Sequence, residues 1–408
     1  MAKTILLIGT LDTKGEEFAY VRELIRARGH HALVMDAGIV GEPKTIADIT
    51  AVETAESGGK SLTDLREQAN RGEAIEAMTR GASRLAAKLH REGKIDGVMG
   101  LGGSGGTMIA TAAMRELPVG FPKMMISTVT SGDIAPYVGV KDIAMMYSVV
   151  DIAGLNRLSR TILANGVGAI CGMIEQEIPV AEDRPLLAAT MFGVTTPCVD
   201  QVRERLEAAG YEVLVFHATG SGGKAMEALI EDGYIAGVAD VTTTEWCDEL
   251  VGGVLTAGPQ RLEAAGRRGI PQVVSCGALD MVNFWAYDAV PAQFKQRNLY
   301  KHNPNVTLMR TTAEECAELG RIISEKLNRA TGPTALVIPR KGVSAIDREG
   351  QPFHDPHANE MLFQTLRENI RPPVNLIELD LHINDPQFAA AVADCLLEML
   401  TKNNEMNK

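Results

Sequence analysis

Aromatic residues are scarce in this sequence, at 4% of 408 residues, and long apolar runs are missing. No run approaches the roughly 20 apolar residues that a membrane-spanning helix needs. The apolar stretch at residues 4–8 is too short for the core of a signal peptide. We therefore expect neither a membrane partner nor export.

Paired cysteines are also missing. The six cysteines form no CxxC pair and lie mostly in apolar stretches. This pattern favours reduced thiols and a cytoplasmic location over a disulfide framework or a zinc site.

Positive charge is in deficit, because the formal net charge is −12. An acidic chain repels a polyanion unless a local basic stripe compensates. The richest basic clusters, residues 22–28 and 261–268, are interleaved with Glu and Ala at helical spacing. Such spacing is typical of solvated helix faces, so nucleic acid is not an expected partner.

Small residues are abundant by contrast, with 40 glycines, and short apolar runs alternate with helical patterns along the whole chain. This alternation predicts an α/β protein built from parallel sheets. The length predicts two domains, which we place at residues 1–180 and 181–408. The expected architecture is two doubly wound Rossmann-like lobes. Strands are predicted at residues 4–8, 32–36, 97–101, 123–127, 145–150, 186–191, 212–216, 237–240, 272–275, 334–338 and 375–378.

Two helices are predicted in the first lobe. One spans residues 16–28, where apolar residues recur at helical spacing before Gly29, and the other spans residues 166–177. Residues 38–72 are polar and rich in glycine, and they favour either a flap over a ligand or an arm for a partner subunit.

A glycine-rich loop after the third predicted strand is the strongest functional signal. Five of the eight positions from Gly100 to Thr107 are glycine, and a helix is predicted to start directly afterwards. Bare backbone amides at a helix N-terminus form an anion-binding nest. A tight turn alone needs only one or two glycines. We therefore predict phosphate binding by Gly102, Gly103, Ser104, Gly105, Gly106 and Thr107.

Two further loops follow predicted strands, where ligands bind in open α/β sheets. After the first strand, the hydroxyls of Thr10 and Thr13 and the Lys14 ammonium are candidates for phosphate, and Asp12 for Mg²⁺. The alternative is that one of them caps a helix. After the fourth strand comes a hydroxyl-rich turn of the same kind. Its candidates are Ser127, Thr128, Thr130, Ser131 and Gly132, with Asp133 as a second possible Mg²⁺ ligand.

Asp36 ends the second predicted strand, where an acid can accept ribose hydroxyls. An ordinary turn residue before Gly38 is an equally good interpretation.

Known phosphate motifs do not match. A Walker A loop fails because Ala218 and Ala225 stand at two of its required positions. A formal GxGxxG match at Gly100, Gly102 and Gly105 follows the third strand and not the first, which argues against a dinucleotide site. The phrase Gly-Ser-Gly-Gly recurs at residues 220–223, which fits duplication and convergence equally well.

The combination of these loops resembles the Tm-one-like ATP-binding family, which comprises bacterial proteins related to a plant inhibitor of tomato mosaic virus RNA replication. The resemblance runs from residue 1 to about residue 400. It implies two Rossmann-like lobes, ATP with Mg²⁺ in the first lobe, and a homodimer, but not antiviral activity. The phrases that carry it are residues 9–15, 100–107, 127–128, 136–137, 276–280 and 339–342.

The second lobe is richer in groups able to catalyse reactions. An Arg-Lys pair beside glycine suits a carboxylate or phosphate, and His or Glu side chains suit a general base. Simple turns explain the His-Asp-Pro segment equally well, and a buried thiol explains Cys276 better than a nucleophile does. The candidates for catalysis are His217, Glu245, Asp280, Arg340, Lys341 and His357.

Three functions remain open from sequence. The first is an ATP-utilising enzyme that acts on a small anionic metabolite by phosphoryl transfer or ligation. The second is a non-catalytic ATP sensor that presents a surface to another protein. The third is an ATP-independent hydrolase or lyase in the second lobe.

Overall fold

The computed structural model describes residues 1–68, 70–179 and 183–406. The chain divides into two compact units, Met1–Val180 and Ala181–Lys408. Among the described residues, no helix combines the length and apolarity needed to cross a membrane.

The first unit is built on one parallel sheet of five strands. Its strands are short apolar runs buried on both faces, as expected where helices cover a parallel sheet on both sides. The five strands predicted here are confirmed, and the order across the sheet is β2-β1-β3-β4-β5. They are β1 (Thr4–Gly9), β2 (His31–Asp36), β3 (Gly97–Gly102), β4 (Lys123–Ser127) and β5 (Ala144–Tyr147).

Seven helices accompany this sheet in the described part of the unit. They are α1 (Leu11–Ala27), α2 (Ala51–Ser57), α3 (Leu62–Gln68), α4 (Arg71–Arg91), α5 (Ser104–Arg115), α6 (Ala135–Val138) and α7 (Arg157–Glu175). The helix predicted at residues 16–28 is confirmed within α1. The one predicted at 166–177 is the second half of α7, which starts earlier because the Asn156 side chain caps it.

Residues 38–72, predicted as a flap or a subunit arm, contain the two short helices α2 and α3. A capping box starts α2: the Thr50 hydroxyl accepts a hydrogen bond from the Glu53 amide, and the Glu53 carboxylate accepts one from the Thr50 amide. Helices of seven residues are too short to be stable alone, so tertiary packing decides their formation. This dependence explains why the sequence pattern did not reveal them.

The second unit contains a six-stranded parallel sheet, and the six strands predicted here are confirmed. The order across the sheet is β14-β13-β9-β8-β6-β7. The strands are β6 (Leu186–Met191), β7 (Glu212–His217), β8 (Ile235–Thr242), β9 (Gln272–Gly277), β13 (Thr334–Pro339) and β14 (Asn375–Leu379). The described helices are α8 (Thr196–Ala208), α9 (Ser221–Glu231), α10 (Glu245–Val251), α11 (Ala264–Arg268), α12 (Ala313–Leu327), α13 (Pro356–Asn369) and α14 (Pro386–Met406).

A small antiparallel sheet between β9 and α12 was not predicted. It consists of β10 (Met281–Phe284), β11 (Leu299–Asn303) and β12 (Val306–Arg310), with β12 in the middle. These strands have four or five residues each, and several of their residues are polar. Their pairing across the chain therefore leaves little trace in the local pattern.

Candidate functional site

The glycine-rich loop of the first unit lies where the strand order reverses. We call residues 103–106 the open turn; it follows β3 and begins α5. Strand β1 lies between β2 and β3, so the loops after β1 and β3 diverge at this point, which is where open α/β sheets bind ligands. A cavity of about 650 Å³ lies here. Its lining comprises Thr10, Asp12, Thr13, Lys14, Ala37, Ile39, Val40, Leu65, Arg66, Asn70, Arg71, Ala74, Ile75, Gly103, Ser104, Gly105, Gly106 and Ile109.

The open turn presents backbone donors to this cavity. Gly103 is the N-cap of α5, and no side chain in the described part of the chain caps the first turn of that helix. The first amides of α5 therefore have no partner within the helix, and the partial positive charge of the helix N-terminus lies at the cavity. Lys14 lines the same cavity, and its ammonium donates to the carbonyl of Ile152. The open turn is thus the part of the lining that is suited to an anion.

Apolar side chains form another part of the cavity lining. They are Ile39, Val40, Leu65, Ile75 and Ile109. A pocket with an apolar wall and a few converging polar groups suits a small molecule that has a flat apolar part and an anionic part.

A short segment after β2 closes one side of the cavity; we call residues 37–44 the strap. Asp12 holds it, because its Oδ2 accepts hydrogen bonds from the amides of Val40 (2.9 Å) and Gly41 (3.2 Å). A Cβ atom on Gly38 would lie 2.7 Å from Asp12 Oδ1, so only glycine fits there. The Arg66 guanidinium donates to two strap carbonyls, at 2.8 and 2.9 Å.

Asp36 also holds the strap, and it lies outside the cavity lining. Its Oδ1 accepts from the amides of Leu11 (3.0 Å) and Gly38 (2.7 Å). Burial raises the pKa of this carboxyl above its ordinary value. Asp36 lines a second cavity together with residues 42–44 of the strap, and its hydrogen bonds to two loop amides fit loop positioning better than ribose binding.

The two predicted Mg²⁺ ligands differ in position. Asp12 is 8% exposed and lines the cavity, and its Oδ1 has no hydrogen-bond partner in the described part of the chain. Asp133 is exposed, lies outside the lining, and accepts from the Ala135 amide. The described residues contain no group of three or more His, Cys, Asp or Glu able to hold a metal alone. Asp12 Oδ1 therefore fits a cation only if the ligand supplies further oxygens, as phosphates do for Mg²⁺.

The hydroxyl-rich turn after β4 lies beside the open turn and not in the cavity lining. Thr107 and Ser127 share a buried hydroxyl contact of 2.6 Å, which joins α5 to the end of β4. The nearest approach to the open turn is at Thr128, whose hydroxyl would lie 3.7 Å from a Cβ atom on Gly103. The remaining predicted binding residues outside the lining are Gly102, Thr130, Ser131 and Gly132.

The second Gly-Ser-Gly-Gly sequence, residues 220–223, begins α9 after β7; we call it the closed turn. The carboxylate of Glu245 fills it. Glu245 Oε1 accepts hydrogen bonds from the amides of Gly220 (2.7 Å) and Gly223 (3.1 Å), and the side chain is buried. The chain's own anion thus occupies this helix N-terminus.

A buried arginine holds Glu245 in place. The Nε atom of Arg261 donates to Glu245 Oε2 at 2.7 Å, and its two terminal nitrogens donate to the two oxygens of Asp240. Burial alone lowers the pKa of Arg261, but the Asp240 carboxylate raises it well above its ordinary value. The guanidinium therefore stays charged and fixes both carboxylates.

The other predicted catalytic residues are not brought into one site. His217 is exposed at the end of β7. Arg340 and Lys341 are exposed, and Lys341 lies 3.0 Å from Asp380. His357 borders a shallow groove between α12 and α13. With Glu245 enclosed in the closed turn, these side chains do not form a common catalytic centre.

Asp280 belongs to a buried polar cluster that the sequence did not reveal. Its Oδ2 accepts from the Ser344 hydroxyl at 2.7 Å, and Asp347 and Arg310 lie nearby. Burial, with the neighbouring Asp347 carboxylate as a second cause, raises the pKa of Asp280 to about 7. Cys276 is also buried, and burial raises the pKa of its thiol to about 12, which disfavours a nucleophilic thiolate.

The fold and this site define a two-unit, mainly parallel α/β protein with a cavity at the switch point of its first sheet. The chain belongs to the uncharacterised protein family UPF0261: the model of that family's N-terminal domain matches residues 3–179, and the model of its C-terminal domain matches residues 184–400.

Relatives support this assignment over the whole length. A UPF0261 protein of Clostridium tetani is 55% identical over 98% of this chain and 100% of its own length. The ToMV resistance protein Tm-1(GCR237) of Solanum lycopersicum is 40% identical over 98% of this chain, which spans 56% of the tomato protein. The predicted family resemblance is confirmed.

Solved structures resemble the chain only distantly. A UDP-N-acetylglucosamine 2-epimerase from Rickettsia bellii aligns over 98% of this chain and 96% of its own, with 9% identity and a TM-score of 0.22. MurG of Acinetobacter baumannii aligns over 97% and 100%, with 12% identity and a TM-score of 0.21. At this level of similarity, neither carries an inference about function.

Proposed function

We propose that the first unit binds ATP at the open turn, with its phosphates on the backbone amides that begin α5. The observation that carries this proposal is the uncapped Gly-Ser-Gly-Gly helix start at a cavity of about 650 Å³. Helix N-termini of this kind bind phosphate through bare amides and the helix dipole. Lys14 adds a positively charged residue to the lining of the cavity.

The closed turn supports the same assignment. It has the same four residues at a helix start, and a carboxylate is bound to its amides. The open turn has the same sequence at a helix start, although its first glycine has a different backbone conformation (φ −83° at Gly103, φ 84° at Gly220). No carboxylate of the described chain is bound to its amides, so an external anion is its expected partner.

The apolar lining residues Ile39, Val40, Leu65 and Ile75 suit a nucleobase. Mg²⁺ would be held by the Asp12 carboxylate together with the phosphates and would offset their charge, in keeping with the preference of Mg²⁺ for one or two carboxylates plus phosphate oxygens. Because the predicted catalytic side chains lie apart, we propose binding and not a particular reaction. Turnover of ATP with added metabolites would identify an enzyme, whereas binding without turnover would identify a sensor. The predicted homodimer stays a prediction.

Calorimetric titration of Mg·ATP tests the proposal. The test variant carries Gly103→Asp and Gly105→Asp, and its matched control carries Gly103→Asn and Gly105→Asn. Added Cβ atoms would meet their nearest neighbours at 3.7 and 3.5 Å, so both variants fit sterically. Placing two carboxylates against phosphate should weaken binding by about a hundredfold, or ~2.7 kcal/mol.

The Asn control should bind far more tightly than the Asp variant, since it adds equal bulk without charge. Circular dichroism would establish whether both variants are folded, and titrations with GTP and UTP would identify the preferred base. Equal binding of Mg·ATP by the wild type and the folded Asp variant would contradict the proposal.

A further inference from the structure

The antiparallel sheet of the second unit carries an unusual pair of positive charges. The Lys295 ammonium lies 4.2 Å from the centroid of the Tyr287 ring, and the Lys301 ammonium lies 4.4 Å from the same centroid. Cation–π attraction favours each contact. Both ammonium groups therefore lie against the same tyrosine ring.

Neither charge is neutralised by the chain. In the described ranges, no carboxylate lies within 4 Å of either ammonium, whereas Arg297, which lies between them in the chain, pairs with Glu315. Lys295 also donates to the Tyr287 carbonyl, which fixes its position without compensating its charge. Two ammonium groups at one ring, without a carboxylate of the chain to pair with, are suited to an external anion.

The surroundings add a flat apolar surface. Trp285 is 55% exposed and Tyr287 is 37% exposed, and they stand two positions apart in the chain. Exposed indole and phenol rings are surfaces on which planar bases stack.

The segment that carries these residues is anchored to the rest of the second unit. Arg297 is bound to the Glu315 carboxylate at 2.7 and 2.9 Å. Phe294 packs on Phe284 with ring centroids 5.7 Å apart, and Val290 is buried in the core. The lysines and aromatic rings are therefore presented by an anchored segment.

We propose that Trp285, Tyr287, Lys295 and Lys301 form a binding site for a nucleoside monophosphate, with the phosphate on the two ammonium groups and the base on an exposed ring. The net charge of −12 disfavours a long polyanion such as a nucleic acid strand, so a single nucleotide is the expected ligand. This site lies in the second unit, and none of its four residues belongs to the lining of the cavity at the open turn.

Tryptophan fluorescence can report on this site. The chain has two tryptophans, and Trp246 is only 5% exposed, so quenching by a solute acts mainly on Trp285. The titrant is adenosine 5′-monophosphate, and the protein carries Gly105→Asp to weaken binding at the open turn. Saturable quenching is expected. It should disappear in the Trp285→Phe variant, which lacks the fluorophore. Calorimetry should still detect nucleotide binding to that variant, because the phenyl ring can stack on the base.

Substitutions of the lysines test the anion site. Lys295→Gln with Lys301→Gln should weaken the nucleotide about tenfold or more, because two charge-assisted contacts are lost. Lys224→Gln, on the exposed side of α9, is the matched control and should leave binding unchanged. Adenosine and inorganic phosphate should each bind more weakly than the monophosphate.

Three results would overturn the proposal. They are the absence of saturable quenching by the folded protein, quenching that persists in full in Trp285→Phe, and equal affinity in the double lysine variant. Much tighter binding of a twelve-residue oligothymidylate than of the mononucleotide would replace the proposed ligand by single-stranded nucleic acid.

Discussion

Two turns of the same sequence, Gly-Ser-Gly-Gly, begin α5 in the first unit and α9 in the second, yet their environments are opposite. The closed turn encloses the Glu245 carboxylate, which Arg261 fixes from behind. The open turn faces a cavity, and no side chain in the described residues caps it. Four residues therefore set the capacity to bind an anion, while distant residues decide whether the anion comes from the chain or from solution.

Strand position separates the two turns as well. The open turn follows the third strand of its unit, at the reversal of strand order, whereas the closed turn follows the second strand of its unit, β7, which is an edge strand. This difference agrees with convergence on one turn and gives no support to duplication of a common site.

The largest expected effect comes from emptying the closed turn. Glu245→Ala leaves two buried amides and part of Arg261 without a partner, so the free energy of unfolding should fall by about 3–5 kcal/mol. Urea denaturation measures this, and Glu204→Ala, exposed on α8, is the control. Added formate should restore part of the loss by binding in the vacated turn. A loss as small as that of the control would show that the closed turn does not depend on its carboxylate.

A smaller effect should appear in the pH dependence of stability. Burial raises the pKa of both Asp280 and Asp347 above their ordinary values, so the folded state holds protons that the unfolded state releases. Stability should therefore fall as pH rises from about 4 through about 7, by about 2 kcal/mol between pH 5 and pH 8. Asp280→Asn should reduce this slope.

Urea denaturation of wild type and Asp280→Asn at both pH values measures the difference, and Asp133→Asn, exposed in the first unit, controls for a general charge effect. An identical slope in wild type and Asp280→Asn would exclude this carboxyl as the titrating group.

Removing the ammonium beside the open turn should weaken ligand binding moderately. Lys14→Gln is expected to reduce the affinity for Mg·ATP about tenfold, since one charge-assisted contact to phosphate is lost. Lys94→Gln in the same unit should have no effect, because Lys94 is exposed outside the cavity. Equal affinities would place the phosphates away from Lys14.

The smallest effect is expected for the side chain of the open turn itself. Backbone amides carry the proposed interaction, so Ser104→Ala should change the affinity for Mg·ATP by less than about threefold. Calorimetry of Ser104→Ala beside wild type measures this. A loss of tenfold or more would show that the hydroxyl, and not the backbone, holds the ligand.

Local sequence pattern was sufficient for the eleven parallel strands, because each is a short apolar run between a helix and a loop. It was also sufficient for two loops of the cavity: Lys14 and Gly105, predicted from separate loops, line the same space. These features depend on neighbouring residues along the chain or on the general rule that loops after parallel strands meet at one edge.

Features that depend on distant partners were not predicted. Glu245 lies at the start of α10, after β8, and binds the closed turn about 25 residues away in the chain. No local pattern marks a carboxylate as the occupant of a particular turn. Asp12 and Asp36 similarly hold the strap through bonds to backbone amides, which local sequence does not reveal. Residue type alone predicts a role in ligand binding for both aspartates. Their hydrogen bonds show that they also fix the position of the strap.

Amide hydrogen exchange by NMR, with and without Mg·ATP, would compare the two turns within one molecule. The amides of Gly220 and Gly223 should be protected in both conditions, because Glu245 already accepts their hydrogen bonds. The amides of Ser104, Gly105 and Gly106 should exchange rapidly in the free protein and become protected when Mg·ATP binds. Unchanged exchange at residues 104–106 in the presence of saturating Mg·ATP would contradict the proposal that the open turn binds phosphate.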